Sequence, residues 1–491
     1  MLIGHASQSQ HLKSKSNQMT DSRPNIALFI TDQMRGDCFG LAGHPVIQTP
    51  NIDWIGKTGF YFRHAYSACP VCIPARRTLM TGKKPSNQGV LMNYETRLEG
   101  PTLPGELSRA GYQTHLVGKL HLWPRRKLYG FMSADWSDGP GINPGIGDYG
   151  RFLQREGFHL ADAGVSHGIN QNGWVARPWH LEERLHFTNW CADKAVDFLE
   201  RRDPTVPFFL KVSFHQPHQP CTPPQCYWDR YIQQDLPEPF VGDWARVFDS
   251  PQTGLPSASW RTALQSQQMK QYRAGYYGCI NHIDDQIGRV LLQLPENTIV
   301  LFISDHGEML GDHQWLRKRN AFEPSARIPF LIRFPECMRI RQEQEREEVV
   351  ELMDIMPTLL QAADAGIPDG VEGKSLLPLL RGDSAEWRKY VHGECSSIPS
   401  LNSGMQYLTD GRQKYIWYPG SGQEQFFDLA ADSREMKDLS GMPEHRETIK
   451  HWRSLLTDEL SGRPEGFVSD SNLRVLSGPT LPYMPEYKNE P

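Results

Sequence analysis

The feature that most constrains the fold is a set of short, mainly apolar runs, most of them followed directly by Lys, Asp or His residues. The clearest runs are residues 26–31 (IALFIT), 208–214 (FFLKVSF) and 298–304 (TIVLFIS), with shorter ones at 115–117 and 329–332. A short continuous apolar run is typical of a strand that is buried on both faces of a parallel sheet. Ligands in open α/β sheets bind at the carboxyl ends of the strands, so we expect these polar clusters to converge in one crevice.

Helical periodicity separates the predicted strands. We predict helices at residues 103–110, 187–201, 269–293 and 349–363. Strands that alternate with helices indicate an α/β fold, here with a mainly parallel central sheet flanked by helices.

The pattern changes after residue 383 and indicates a second unit. Asp-Gly and Gly-Ser-Gly turns separate short strand-like stretches at residues 407–409, 414–418 and 425–429. Such spacing predicts a smaller C-terminal α+β subdomain with an antiparallel sheet. We therefore divide the chain into a disordered N-terminal extension (1–24), a main catalytic domain (25–383) and a C-terminal subdomain with its tail (384–491).

Charge and cysteine content exclude several classes of protein. The 52 basic and 57 acidic residues give a net charge of −5, with no long run of either sign, so we expect neither nucleic acid nor a membrane as partner. Nine cysteines at irregular spacing do not resemble a secreted disulfide framework. The first 24 residues are polar and contain no apolar signal core, so we expect a cytoplasmic protein whose oligomeric state stays open.

One segment carries a specific chemical motif, Cys72-x-Pro74-x-Arg76, with Thr81-Gly82 at a fixed distance after it. The first part alone would occur by chance in about one chain in twenty-five of this length, and the second part makes chance far less frequent. Cys69-x-x-Cys72 is also half of a redox or zinc motif, but the sequence contains no second Cys-x-x-Cys. The motif therefore indicates a reactive position at Cys72.

This motif resembles the signature of the type I sulfatase family, within the alkaline phosphatase superfamily. The resemblance implies that a formylglycine-generating enzyme converts Cys72 to Cα-formylglycine and recognises Pro74 and Arg76, after which Arg76 pairs with the aldehyde hydrate and the metal site. One hydroxyl of that hydrate, held by a divalent cation, would attack sulfur, and the second would release sulfate. The resemblance extends from Pro24 to about Leu439 and implies the alkaline-phosphatase-like α/β fold.

The expected metal ligands follow two of the predicted strands. Asp32-Gln33 and Asp305-His306 each place a carboxylate and a second ligand at a strand end. A lone Asp there is more often a turn or cap residue, but two of them beside Cys72 favour a metal site. The family usually has Asp-Asp at the first position, so Gln33 is a departure. Hard oxygen ligands favour Ca²⁺, with Mn²⁺ and Mg²⁺ as alternatives.

Four further residues match family positions. The resemblance implies that Lys119 and Lys318 bind the sulfate group, that His121 contacts the formylglycine hydrate, and that His218 protonates the departing alcohol. Taken singly, each would more often be a solvated or core side chain. Their order along the chain and their context give them weight.

The leading functional hypothesis is a sulfatase that hydrolyses a sulfate monoester, carried by a saccharide or another small molecule. Gln33 motivates an alternative, a formylglycine-dependent phosphonate monoesterase or phosphodiesterase. A third hypothesis, from a different class, is a non-catalytic binding protein on the same fold. We expect specificity to lie in the loops at residues 123–184 and 221–259.

Overall fold

The structure is a computed structural model that describes residues 21–139, 147–164, 168–254, 256–383, 386–396 and 404–484. Most of the predicted disordered extension, residues 1–20, lies outside these ranges. The division of the chain after residue 383 stays a prediction.

The described chain contains sixteen strands and twelve α-helices. The strands are β1 Asn25–Asp32, β2 Phe60–Phe62, β3 Ala65–Tyr66, β4 Gln113–Gly118, β5 Ser133–Trp136, β6 Phe208–Pro217, β7 Thr298–Ser304, β8 Phe330–Arg333, β9 Gln344–Arg346, β10 Val350–Glu351, β11 Val391–Cys395, β12 Met405–Thr409, β13 Gln413–Trp417, β14 Glu424–Asp428, β15 Val468–Ser469 and β16 Asn472–Leu473. The helices are α1 Pro50–Lys57, α2 Cys72–Thr81, α3 Leu103–Arg109, α4 Asp148–Arg155, α5 Leu160–Gly164, α6 Phe187–Arg201, α7 Gln225–Ile232, α8 Ser266–Leu291, α9 Glu323–Ala326, α10 Ile355–Ala362, α11 Leu377–Arg381 and α12 Arg446–Leu460.

A central eight-stranded sheet organises the main domain, in the order β5-β4-β6-β1-β7-β8-β2-β9. All neighbouring pairs are parallel except those that involve β8, which runs antiparallel to β7 and β2. The predicted, mainly parallel sheet is confirmed. The four strands with polar residues at their carboxyl ends, β4, β6, β1 and β7, are consecutive in this order.

Two hydrophobic clusters cover the two faces of the sheet. Successive β1 residues point to opposite faces, so Ala27 and Phe29 pack in the cluster that includes α6 and α8 residues. Leu28 and Ile30 pack in the other cluster, with residues of α2, α3 and α10. Burial on both faces explains why β1 is an uninterrupted apolar run.

The C-terminal part contains the predicted antiparallel sheet, with strand order β11-β12-β13-β14. Helix α12 packs against it through Trp452 and Leu456, in a cluster that includes Leu408 and Phe426. Among the helices of the described ranges, none combines the length and apolar character that a membrane span needs.

The predicted helix at residues 349–363 is wrong at its start. Val350 and Glu351 instead form β10, which pairs in parallel with Ala65 and Tyr66 of β3, and α10 begins only at Ile355. The strand conformation of these two residues depends on a partner strand almost three hundred residues away. Local periodicity does not reveal such a pairing.

Candidate active site

The ends of β1 and β7 bring the two predicted metal-binding pairs together. The Asp305 N–H donates to the Thr31 carbonyl over 3.2 Å, and the His218 N–H, just after β6, donates to the Asp32 carbonyl over 3.0 Å. Residues from three strand ends are therefore joined by backbone hydrogen bonds. The expected convergence in one crevice is confirmed by this geometry.

Cys72 is the first residue of α2, so its side chain lies at the amino end of a helix. All ten residues of α2 are buried, and the Asn93 side chain accepts a hydrogen bond from the Ile73 N–H over 3.0 Å. Pro74 falls in the first turn, where a missing N–H costs the helix little. The partial positive charge of the helix terminus favours anionic groups at this point.

Four side chains form a group that could hold a metal ion: Asp32, Cys72, Asp305 and His306, whose ligand atoms all lie within 4.8 Å of one another. The His306 Nδ1–H donates to the Gly307 carbonyl over 3.0 Å, so the Nε2 lone pair faces the group. From Nε2 the distances are 3.2 Å to Cys72 Sγ and 3.6 Å to Asp305 Oδ1. Carboxylates and an oriented imidazole fit a divalent cation.

Gln33 follows Asp32 with a left-handed backbone, φ 72°. Its amide nitrogen donates to the carboxylate of Glu308, which can only accept, so the amide oxygen points the other way. That oxygen accepts a hydrogen bond from Lys318 Nζ over 2.7 Å. Glu308 thus orients Gln33. Glu308 lies two residues after His306, but no motif in the sequence marks it as a site residue.

Arg76 bridges the two carboxylates of the metal group. Its Nε donates to Asp305 Oδ2 over 2.9 Å and its Nη2 to Asp32 Oδ2 over 3.1 Å. A third nitrogen, Nη1, donates to Ser213 Oγ over 2.9 Å. Lys119 Nζ lies 2.7 Å from Asp32 Oδ2. The side chain of Ser213, inside β6, gave no signal in the sequence.

Gly118 permits the backbone approach that places Lys119. Its φ is 85°, and a Cβ atom there would lie 2.2 Å from the Ser213 carbonyl oxygen. Only glycine fits this position, so the Gly-Lys pair at the end of β4 has a steric reason.

The charges of the group are strongly coupled. Burial opposes ionisation of Asp32, but nearby cations, Lys119 first, hold its pKa well below its usual value. Burial and repulsion from Asp32 raise the pKa of Asp305. Burial, and then the charge of Asp32, act to raise the pKa of the Cys72 thiol. The positive charges of Lys318, His306 and Lys119 outweigh them, so the pKa of the thiol is well below its usual range. A divalent cation would relieve the repulsion between the two carboxylates.

A cavity of about 230 Å³ opens over Cys72, and Lys119, His121, His218 and Lys318 all line it. The His121 N–H donates to Asp138 Oδ1 over 2.7 Å, and its buried Nδ1 has no hydrogen-bond partner within the described ranges. The structure therefore brings all the predicted catalytic residues to one pocket or to its base. Asp138, which fixes the His121 backbone, was not found from the sequence.

Lys318 lies between two residues with left-handed backbones, Arg317 (φ 71°) and Arg319 (φ 79°). Its Nζ is 3.1 Å from Cys72 Sγ. Non-glycine residues rarely adopt this conformation, and when they do it is often at functional sites. The structure places Lys318, rather than either neighbouring arginine, beside Cys72.

The Cys69-x-x-Cys72 half-motif forms no disulfide, because all nine cysteines are free. Cys69 instead donates to the Leu91 carbonyl over 3.5 Å.

Two family models match the chain. The sulfatase model covers residues 24–365, and the model described as N-sulphoglucosamine sulphohydrolase, C-terminal, covers residues 311–461. An arylsulfatase of Clostridium perfringens is 41% identical over 477 residues, which is 92% of this chain and 97% of that protein. An N-acetylglucosamine-6-O-sulfatase of Bacteroides thetaiotaomicron is 25% identical, over 89% of this chain and 86% of that protein.

Solved structures agree with the fold. The phosphonate monoester hydrolase of Agrobacterium radiobacter superposes with a TM-score of 0.75 at 24% identity, over 89% of this chain and 95% of that one. A structure in complex with its substrate D-glucosamine-2-N,6-O-disulfate superposes with a TM-score of 0.71 at 24% identity, over 89% and 97% of the two chains. The family models and the arylsulfatase relative carry the assignment further than the fold does: the chain belongs to the sulfatase family of the alkaline phosphatase superfamily and is a sulfuric ester hydrolase.

Proposed function

We propose that this chain hydrolyses a sulfate monoester of a saccharide, with Cys72 as the precursor of a formylglycine and Ca²⁺ as the bound cation. One observation carries the proposal: Cys72 Sγ lies 3.2 Å from His306 Nε2 and 3.1 Å from Lys318 Nζ. Position 72 therefore lies between a site suited to a cation and a fixed positive charge. This arrangement suits attack on an ester whose oxygens carry negative charge.

Formylglycine supplies an aldehyde hydrate whose hydroxyl can attack sulfur, and a divalent cation lowers the pKa of that hydroxyl. The chain's own residues orient the metal ligands and neutralise the charge of the sulfate group. Lys318 and Lys119 bind the sulfate oxygens at the base of the pocket. Arg76, which contacts both Asp32 and Asp305, keeps the two carboxylates facing one point.

The two histidines of the pocket act on protons. The His218 Nδ1–H donates to the Gln219 carbonyl over 2.8 Å, which leaves Nε2 to serve the departing alcohol oxygen. Burial, and then Lys318, lower the pKa of His218, and a bound anionic ester would offset the charge of Lys318 and favour the protonated ring. The Nδ1 atom of His121, which has no hydrogen-bond partner in the described parts of the chain, is available to the hydrate.

The choice of Ca²⁺ and of a saccharide rests on chemistry and on relatives. Two carboxylates and the Gln33 amide oxygen favour a hard cation, while His306 keeps Mn²⁺ and Mg²⁺ as alternatives. Relatives named as an N-acetylglucosamine-6-O-sulfatase and an ulvan-active sulfatase support a saccharide substrate.

The test is made on protein that has been co-expressed with a formylglycine-generating enzyme. Mass spectrometry of the Cys72 peptide should show the loss of the thiol, and metal analysis should show Ca²⁺. The modified protein should hydrolyse 4-nitrophenyl sulfate with a higher kcat/KM than phosphate diesters or phenylphosphonate esters. A preference for the phosphorus esters would replace the sulfatase with the phosphonate monoesterase alternative that Gln33 motivates. A Cys72→Ala variant provides the background rate.

A further inference from the structure

A second cavity of about 570 Å³ adjoins the catalytic pocket. The two share Trp260, Lys318 and Arg319 as lining residues, so they lie side by side, and together we call them the cleft. Beyond the shared wall, the second cavity is lined by Arg261 and Trp315 and, from the C-terminal part of the chain, Tyr418. None of these three residues lines the catalytic pocket.

The lining of the cleft carries positive charge. No Asp or Glu is among the described residues that line either cavity. Four basic residues line one cavity or both: Arg261, Arg317, Lys318 and Arg319. The charge of Lys318 is next to Cys72 Sγ. The three arginines form no ion pair within the described ranges. Elsewhere in the site, by contrast, a buried arginine such as Arg76 contacts two carboxylates.

The donors of these arginines are only partly satisfied. Arg261 Nη2 donates to the Ala245 carbonyl over 2.7 Å and Arg317 Nη1 to the Ala258 carbonyl over 3.2 Å. The Nε atoms of Arg319 and Arg261 are buried and form no hydrogen bond to a described residue. Burial lowers the pKa of all three guanidinium groups. A buried donor of a charged group that lacks a partner is costly, and an anionic ligand would compensate both the donor and the charge.

Aromatic rings hold the arginines in place. The guanidinium carbons of Arg317 and Arg319 lie 3.9 Å and 4.7 Å from the centre of the Trp260 ring, and that of Arg261 lies 4.7 Å from the Trp315 ring. Stacking leaves the edge of a guanidinium, which carries its N–H donors, accessible to an anion.

Backbone hydrogen bonds connect the two segments that carry these side chains. The Leu316 N–H donates to the Trp260 carbonyl over 2.9 Å, and the Thr262 N–H donates to the Gln314 carbonyl over 2.9 Å. The segment with Trp260 and Arg261 is therefore bound to the segment that carries Lys318. A ligand in the second cavity would be positioned relative to the reacting sulfate.

We propose that Arg261, Arg317 and Arg319, supported by Trp260 and Trp315, form a subsite for a second anionic group, a sulfate or a carboxylate, on the alcohol part of the substrate. The inference rests on the proposed function and narrows its substrate to a sulfate ester with at least one further negative charge. The reacting sulfate itself is bound next to Cys72, so these arginines serve a different group.

The test compares substrates that differ by one charge. The modified, metal-loaded enzyme is assayed with 3- and 4-carboxyphenyl sulfate and with the corresponding carboxamides, which are similar in shape but carry no second charge. The wild-type kcat/KM should be higher for a carboxylate by about tenfold or more. The Arg319→Gln and Arg317→Gln variants should reduce that preference about tenfold, mainly through KM, and Arg319→Lys should retain most of it.

The control is Arg333→Gln, since Arg333 also stacks on a tryptophan, Trp54, at 5.0 Å, but lines neither cavity. It should leave the preference unchanged. A wild-type enzyme without preference, or variants that slow both substrates equally, would overturn the subsite and assign the arginines a structural role.

Binding separates this inference from the proposed function. An enzyme that hydrolyses no sulfate ester would contradict the function alone. Calorimetry on the same protein then decides the subsite: benzene-1,3-disulfonate should bind more tightly than benzenesulfonate in the wild type, and the difference should shrink in Arg319→Gln. Equal affinities would overturn the subsite.

Discussion

At the scale of single residues, the position of Lys318 has the clearest consequence. Its Nζ contacts both Cys72 Sγ and the Gln33 amide oxygen, and both neighbouring residues have left-handed backbones. A charge that is fixed before substrate arrives stabilises the transition state without a reorganisation cost.

We therefore expect Lys318→Met to lower kcat/KM for 4-nitrophenyl sulfate by about a hundredfold or more. Lys450→Met, at an exposed position of α12, is the matched control and should have no effect. Steady-state kinetics on proteins with equal formylglycine content make the comparison. A loss below threefold in Lys318→Met would remove this residue from the site.

Asp32 belongs to the metal group and also forms ion pairs with Arg76 and Lys119. Asp32→Asn removes a hard anionic ligand, so the affinity of the protein for the divalent cation should fall at least about tenfold. Activity should be lost in parallel. Metal analysis after dialysis against a weak chelator measures this, with the exposed Asp470→Asn as control. Full metal occupancy in Asp32→Asn would contradict the ligand assignment.

At the scale of elements, the sequence predicts strands better than it predicts their partners. Runs such as 298–304 are apolar throughout because both faces are buried, and that signal is local. The mistaken helix start at 349 has the opposite cause, since β10 exists only through its pairing with β3. In the site, residues within a motif were found, whereas Ser213 and Asp138 were not, because their role depends on strand order and loop path.

The C-terminal sheet is linked to the active-site segment by buried charges. Lys414 of β13 donates to Glu323 Oε1 and to Glu435 Oε1, each over 2.8 Å. Glu323 lies five residues after Lys318 and begins α9. These ion pairs therefore connect the antiparallel sheet to the segment that carries Lys318, and Tyr418, which directly follows β13, lines the second cavity.

Another buried carboxylate, Glu394 of β11, makes the stability of the protein depend on pH. It accepts from the Ser86 N–H over 3.1 Å and from Arg463 Nη2 over 2.9 Å. Burial raises its pKa, but Arg463 outweighs burial and lowers the pKa to about 2. A lowered pKa in the folded state means stability that is present above the unfolded value of 4.5 and is lost as the pH falls towards 2.

Glu394→Gln should therefore destabilise the protein by about 3 kcal/mol at pH 7 and flatten the loss of stability in acid. Urea denaturation midpoints between neutral pH and the acid limit measure the effect, with the exposed Glu444→Gln as control. Parallel pH profiles for wild type and Glu394→Gln would exclude this carboxylate as a source of acid sensitivity.

At the scale of the whole molecule, net charge and local charge have opposite signs. The chain carries −5 overall, while the cleft is lined by arginine and lysine without an acidic residue among the described lining. Substrate capture should follow the local field, because a cleft focuses the potential of the charges along its walls.

Raising the ionic strength with NaCl from about 20 to 200 mM should therefore lower kcat/KM for carboxyphenyl sulfate several-fold, and lower it less for the carboxamide. Repulsion by the net negative charge would have the opposite effect, since added salt would screen it and speed capture. A rate that rises with salt would show that the overall charge dominates.

The complete burial of α2 has a consequence for how active enzyme is made. Cys72 is 1% exposed and belongs to a helix without an accessible residue, so no second protein can reach it once the chain has folded. Maturation by the proposed modifying enzyme must then compete with folding. Under the proposed function, the fraction of active molecules would depend on whether modification precedes folding, so a variant that folds faster would yield less active enzyme.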